Sequence, residues 1–444
     1  MDELVARAEQ ALLAEEPRRW LELDAAVRRR YGLVVDRTVP VGSLIAACHG
    51  DGFVREAAVT ELAGRDDFAA LPVLALRAAD WVPQVRERAR DACRWYLEHA
   101  PGLAVPSLLP VAWAVRARQT GSWLAEVLED LLRDGPPEAM NAALTVADWR
   151  SRRAAYHIVL ASGRLDTERL LHAAATDPDL PIRLLCAKAA MRADGGAARL
   201  LLSSRTAAIR AEALRALGEP GPAIDALPHR SALVRATAQF ILRGAGVDAA
   251  AHYRELLAAH TPPAPPLIAG LGETGADVEL LRPWLAHPSS RGRAETVRAL
   301  RRHGRTTRKL LLPLLTDPVS SVTRQVTLSL RREALDEQVL WPLLRQPHPP
   351  HVRMAALQLL RAQGSWTRLT ADLRLVDDEE PAIRAEARND LTTWLTHDAA
   401  TAYTAPQATR ADELSALLNE KVTTLGADRV RRLRFHLGLA PQAT

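Results

Sequence analysis

Seven times along this chain an aliphatic residue is followed, four and eight positions later, by small or apolar residues, and in six of the seven an arginine comes directly after the aliphatic one. The triplets are Val54/Ala58/Leu62, Val85/Ala89/Cys93, Ile209/Ala213/Leu217, Val234/Ala238/Leu242, Val322/Val326/Leu330, Val352/Ala356/Leu360 and Ile383/Ala387/Leu391. Positions i, i+4 and i+8 share one face of a helix, so each triplet predicts a buried stripe. Weaker copies start at Arg152 (with Tyr156 and Leu160), Ile182 (with Cys186 and Ala190) and Gly292 (with Thr296 and Leu300). Most anchors follow one another at 25–31 residues, and two gaps of 67 and 58 residues each leave room for a degenerate unit, near residues 115 and 264.

Ahead of each anchor stands a second helical stretch, such as Leu280 to Leu285 or Leu310 to Leu315, followed by a breaker. The breakers Asp177-Pro178-Asp179, His287-Pro288-Ser289-Ser290, Asp317-Pro318 and Asp377 to Pro381 offer helix-capping oxygens and a proline near the next first turn. Two short helices cannot bury an apolar face alone, so such units must stack into a continuous core.

With phrases such as Asp177-Pro178-Asp179-Leu180-Pro181-Ile182-Arg183 and Asp80-Trp81-Val82-Pro83-Gln84-Val85-Arg86, the stretch from about residue 40 to 398 resembles the HEAT repeats, especially the shorter bacterial form also found in phycobilin-lyase-like proteins. The resemblance implies an all-α fold, a right-handed α-α superhelix of the HEAT/armadillo kind with about twelve helical hairpins. It also implies that the arginine after each anchor bonds acidic or carbonyl groups of the inter-helix turns as a structural row. Arg55, Arg86, Arg153, Arg183, Arg210, Arg235, Arg293, Arg353 and Arg384 hold that place, and Thr323 replaces it in one copy.

Residues 1–38 read as N-terminal capping helices, 39–398 as the repeat array and 407–440 as a C-terminal helical cap after a small-residue linker. The run Thr261-Pro262-Pro263-Ala264-Pro265-Pro266 precludes a regular helix there and predicts a kink or loop.

The net charge of +5 and pI near 9.4 raise the question of a polyanionic partner. Only Lys188, Lys309 and Lys421 are lysines, so 55 of the 58 basic residues are arginine, a skew that a GC-rich coding genome also produces. Acids are interspersed with the arginines, as in Arg86-Glu87-Arg88 and Arg384-Ala385-Glu386, the pattern of a solvated helix face. Cys48, Cys93 and Cys186 are too few and too far apart for a disulfide framework or a zinc pattern, which fits a reducing compartment. The acidic start and Glu15-Glu16-Pro17 show no secretory signal, and no apolar run reaches membrane-spanning length. A cytoplasmic monomer without cofactor or metal is the expectation.

No phosphate loop, zinc-protease motif or nucleophile elbow is present. His348 and His351 fall in a proline-rich turn without further ligands, and Cys48 and His49 point apart on a helix. Trp81, Trp95, Trp113, Trp123 and Trp149 crowd the first third of the chain, and Asp80-Trp81 and Asp148-Trp149 both stand at repeat turns. Tryptophans with a carboxylate in a basic groove are similar to what HEAT-like DNA glycosylases use, which makes Asp80, Trp81, Asp148 and Trp149 a candidate ligand groove. The leading expectation is a non-catalytic scaffold that binds a protein through an extended surface, with Arg88, Arg90, Glu212 and Arg388 as candidate contacts; the alternative is nucleic-acid binding, up to base excision.

Overall fold

The computed structural model describes every residue except 1, 14, 15, 31, 40, 66, 402, 403 and 440–444. Met1, Glu15 and the Ala402-Tyr403 part of the small-residue linker therefore lie outside the described residues, as does the last residue of the expected C-terminal cap. The fold is an all-α solenoid of stacked helical hairpins, with no strand among the described residues. It divides into two compact units, Met1–Leu217 and Gly218–Thr444.

In the first unit the helices Asp2–Leu13 and Pro17–Arg28 pair and precede the hairpins. The anchor helices Gly52–Ala63, Pro83–His99, Ser122–Asp134, Trp149–Ala161, Leu180–Ala193 and Ala207–Leu217 alternate with partner helices, most of them shorter. Two core clusters, which share the partly buried Leu144 and Leu165, run from Leu4 to Ala213. The second unit repeats the plan with anchor helices Ala232–Gly244, Pro265–Thr274, Ser290–Arg302, Ser320–Leu330, Pro350–Arg361 and Pro381–Thr393, the last four packed side by side in order. Two further helices, Ala408–Glu420 and Ala427–Leu437, pack around the fully buried Trp394.

The i/i+4/i+8 stripes form the core. Val322, Val326 and Leu330 are all within 1% of fully buried, as are Val352, Ala356 and Leu360. Each such aliphatic side chain removed from water contributes about 1.5–3 kcal/mol before the entropy of ordering it is counted. The two long gaps contain Leu124/Leu128/Leu132 on Ser122–Asp134, and Leu267 and Leu271 on Pro265–Thr274, all buried.

One register differs from the sequence reading. On Trp149–Ala161 the buried stripe is Ser151/Ala155/Val159, not Arg152/Tyr156/Leu160, so the arginine after the anchor is Arg152. A serine in the anchor place hid this frame. Several partner helices are also tighter than α: Val278–Ala286, Leu312–Thr316 and Trp341–Leu344 are 3₁₀ turns. Pro283, Pro313 and Pro342 remove a donor and crowd the carbonyl four residues back, which favours the i→i+3 pattern. The proline run breaks the chain after Ala259, whereas Pro265 and Pro266 lie in the first turn of the next helix, where a missing N–H costs nothing.

Candidate functional site

Before most anchor helices stands a short turn in which one residue does two jobs; Arg353 departs from this by bonding Leu344 O, nine positions back. The carbonyl of the turn residue, six positions before the row arginine, accepts from that arginine: Arg55 Nη1 donates to His49 O at 3.0 Å and Gly50 O at 2.9 Å. Arg86 reaches Asp80 O and Trp81 O, Arg210 Ser204 O, Arg235 His229 O, Arg293 His287 O and Pro288 O, and Arg384 Asp378 O and Glu379 O. Thr323 makes a long version of the same bond to Asp317 O at 3.4 Å.

The side chain of that turn residue accepts the backbone N–H two residues on. Asp80 does so from Val82, Asp177 from Asp179, Asp317 from Val319 and Asp378 from Glu380. His49, His229 and His287 use Nδ1 toward Asp51, Ser231 and Ser289, and Ser204 uses Oγ toward Thr206. These are short-range turn closures of the Asx type. They sit ahead of the helices, so the expected capping role of Asp177, Asp317 and Asp378 is corrected: the capping positions Asp179, Ser289, Val319 and Glu380 make no side-chain capping bond.

Where the turn residue is aspartate, it also takes the arginine of the preceding hairpin. Arg55 and Asp80 form a two-bond fork, Arg293 pairs with Asp317 at 2.6 and 3.0 Å, Arg353 with Asp378, and Arg152 approaches Asp177 at 3.5 Å. Arg235 turns instead to Glu273. Burial alone would raise the Asp80 carboxyl, but the Arg55 hydrogen bonds and the Arg77 charge outweigh it and hold the group below its ordinary range. The hydrogen bond to Asp317, ahead of burial, raises Arg293 above its own.

Three assignments change. Arg152 makes the row's bonds, to Val146 O at 2.5 Å and Ala147 O at 3.2 Å, while Arg153 forks onto Asp179. Arg183 has no acid opposite and bonds Thr206 Oγ1 at 3.0 Å, because Ser204 occupies the turn position. Arg90 is partly buried and donates to Ala78 O and Thr120 O, so it is not an open surface contact, whereas Arg388 is exposed while bonding Val376 O. Arg88 is exposed but paired with Glu56, and Glu212 with Lys188 and Arg215.

The two Asp-Trp pairs are not equivalent. Asp80 stands three residues before its helix with both oxygens occupied, Oδ1 by Arg55 and Val82, Oδ2 by Arg55 and Arg77. Asp148 caps its helix, accepting from the Ser151 N–H at 2.8 Å. A cavity beside Asp80 and Trp81 is not lined by Asp148 or Trp149. The Trp81 ring lies under Arg28 and Arg55, Trp149 under Arg150 and Arg153, Trp123 under Arg90 and Arg94, and Trp113 under Arg116, while Trp95 stacks on His99.

No group of three metal-type ligands occurs among the described residues. His351 Nε2 lies 3.0 Å from Asp317 O, and His49 Nε2 3.0 Å from Leu33 O. Burial pushes the three thiols up to about 12, so none is a nucleophile at neutral pH. Sequence reading missed a second buried charge cluster, in which Asp372, wholly buried, meets Arg361 at 2.6 Å while Arg368 forks onto Asp390. Its signal was a carboxylate on the stripe that carries Leu369 and Leu373.

No family model matches the chain, and no curated protein does. Among solved structures it is similar to one in which Kap95p binds RanGDP, with TM-score 0.46 and 11% identity over 93% of this chain, and to importin beta, with TM-score 0.39 and 13% identity over 94%. This chain spans 66% and 65% of the length of those chains. The solenoid fold is read from its own stacked hairpins. No helix among the described residues is long and apolar enough to cross a membrane.

Proposed function

We propose that this chain is a non-catalytic scaffold, cytoplasmic and of the short bacterial HEAT form, that binds a protein partner along one edge of the hairpins. One observation carries the reading. Large apolar side chains stand exposed just before or at the first turns of the anchor helices: Phe53 at 84%, Trp81 at 69%, Trp149 at 46% and Leu180 at 40% in the first unit, and Leu233 at 45% and Val319 at 38% in the second. Exposed apolar side chains near the starts of several anchor helices, with arginines close by, are the composition of a protein-binding surface.

The turn aspartates and row arginines are read as structural, since Arg55, Arg293 and Arg353 are spent on the turn aspartates and most of the others on turn carbonyls. Nucleic-acid binding needs cations free to meet phosphates. On the anchor helices several exposed cations face acids instead: Arg88 and Glu56 at 3.1 Å, Lys188 and Glu212 at 3.4 Å, and Arg298 and Glu295 at 3.0 Å. A base-excision role would require Asp80 to leave Arg55 and Arg77, and that pairing speaks against it.

The test is affinity capture from native cytoplasm at moderate salt, with and without nuclease, using the full chain and the double variant Phe53→Ala/Trp149→Ala. A protein retained after nuclease and lost with the variant is expected. Recovery that disappears with nuclease would overturn the reading in favour of nucleic acid.

A further inference from the structure

The cavity beside Trp81 holds more positive than negative charge. It has a volume of about 360 Å³, and its lining includes the charged groups Asp24, Arg28, Arg77, Asp80 and Arg118 together with Trp81. Arg28 and Arg77 in the lining and Arg55 behind it share two carboxylates: Arg77 bonds Asp24 at 2.5 Å and Asp80 at 3.0 Å, Arg28 bonds Asp24 at 3.1 Å and lies 3.6 Å from Asp80, and Arg55 forks onto Asp80. Arg118 adds a fourth guanidinium at the rim and has no hydrogen-bond or ion-pair partner among the described residues. Four guanidiniums, three of them in the lining and Arg55 behind it, therefore share two carboxylates, both in the lining.

Donors are in surplus too. Arg77 is 1% exposed, and its buried Nε–H has no partner. An orphaned guanidinium donor in a closed wall is costly unless something accepts from it. Arg118 is held below its ordinary range first by burial, then by a balance in which Asp24 favours its charge while Arg77 and Arg28 oppose it, so it lies within the field of the same cluster. An incoming anion would relieve the repulsion among the arginines and give the Arg118 guanidinium an acceptor.

We propose that this cavity is a binding site for a phosphate monoester. The lining carries one surplus positive charge and Arg55 directly behind it supplies a second, which together match the dianion, and planar guanidinium forks suit its oxygens better than a single ammonium would. The exposed Trp81 face forms the side of the pocket on which the ester's organic part would rest. Carboxylate ligands would leave one charge uncompensated and bind more weakly. The site is defined by its charges, so it stands or falls separately from the protein-scaffold reading.

The test is calorimetry and thermal shift on the full chain with inorganic phosphate, a phosphoserine tripeptide and acetate, at constant ionic strength set with chloride. Saturable binding of phosphate and phosphopeptide is expected, with acetate weaker. Arg118→Gln should weaken both phosphates about tenfold, the loss of one charge-assisted contact, while the ligand-free melting temperature stays unchanged. Arg324→Gln, an exposed arginine in the second unit, should leave them unaltered. Should Arg118→Gln melt early, Gln119→Glu, which adds a negative charge to the same lining, replaces it with the same expected weakening. A tighter phosphopeptide points to a protein-borne source, and equal or tighter inorganic phosphate to a small free anion. Affinity that does not change with Arg118→Gln or Gln119→Glu, or a shift that chloride reproduces, overturns the site.

Discussion

Arg55 and Asp80 lie 25 residues apart and meet through two parallel bonds of 2.9 Å, Nε to Oδ2 and Nη2 to Oδ1, with both side chains within 1% of complete burial. The pair joins two consecutive hairpins. It closes the turn of the later one as well, because Asp80 Oδ1 also receives the Val82 N–H. Such a link fixes how one repeat sits on the next more than it adds net stability, since desolvating both ions offsets much of their attraction.

Removing one partner is another matter. Asp80→Asn keeps the shape but leaves Arg55 as a buried, uncompensated cation and Arg77 with Asp24 alone, and a loss of about 3–5 kcal/mol is expected. Urea unfolding followed by tryptophan fluorescence checks it, as the tryptophans crowd the first unit. A change under about 1 kcal/mol would mean that solvent reaches the pair.

Gly292 carries a packing constraint. A Cβ there would fall 2.3 Å from the His287 ring, which is 3% exposed and bonds Pro263 O through Nε2 at 2.9 Å. Gly292→Ala should cost about 1–3 kcal/mol by overpacking. The double variant His287→Ala/Gly292→Ala should be less destabilised than the two single costs summed, which a double-mutant cycle on thermal denaturation measures.

Asp372 predicts a pH dependence. Burial first, and then the nearby Asp390 carboxylate, raise its pKa to about 8 against the pull of Arg361. A carboxyl whose folded pKa is raised gives stability that is complete below the unfolded value of 3.8 and is lost as pH climbs toward about 8. Neighbouring Asp390 is lowered and works only in the acid range, below that window. Wild-type stability should therefore fall relative to Asp372→Asn between pH 5 and 8, by at most about 1.4 kcal/mol per pH unit, and level off beyond. Melting temperatures of both proteins across that range decide it; a constant gap would show that Asp372 is ionised throughout.

Cys48, Cys93 and Cys186 are buried in helical cores with thiols pushed up to about 12. In the native protein at pH 8 a maleimide should label them at least about tenfold more slowly than in denaturant, where all three react. Mass spectrometry of the labelled chain counts them.

Much of the solenoid was legible because its determinant is local. A stripe at i, i+4 and i+8 has one way to be buried, and Val322/Val326/Leu330 need only a neighbour of the same kind to do it. The row arginines were legible as a position for the same reason. What the sequence by itself determined, then, is the helical hairpin, its period and the residue types at each turn. Tertiary structure decided which arginine of the Arg152-Arg153 pair faces the turn, which carboxylate twenty-five residues away receives Arg55, and that Asp24, Arg28, Arg77 and Arg118 come to share one cavity. Those outcomes depend on the stacking of hairpins far apart in the chain, and a charge in a helical pattern does not reveal which opposite charge, if any, the stacking will bring to it.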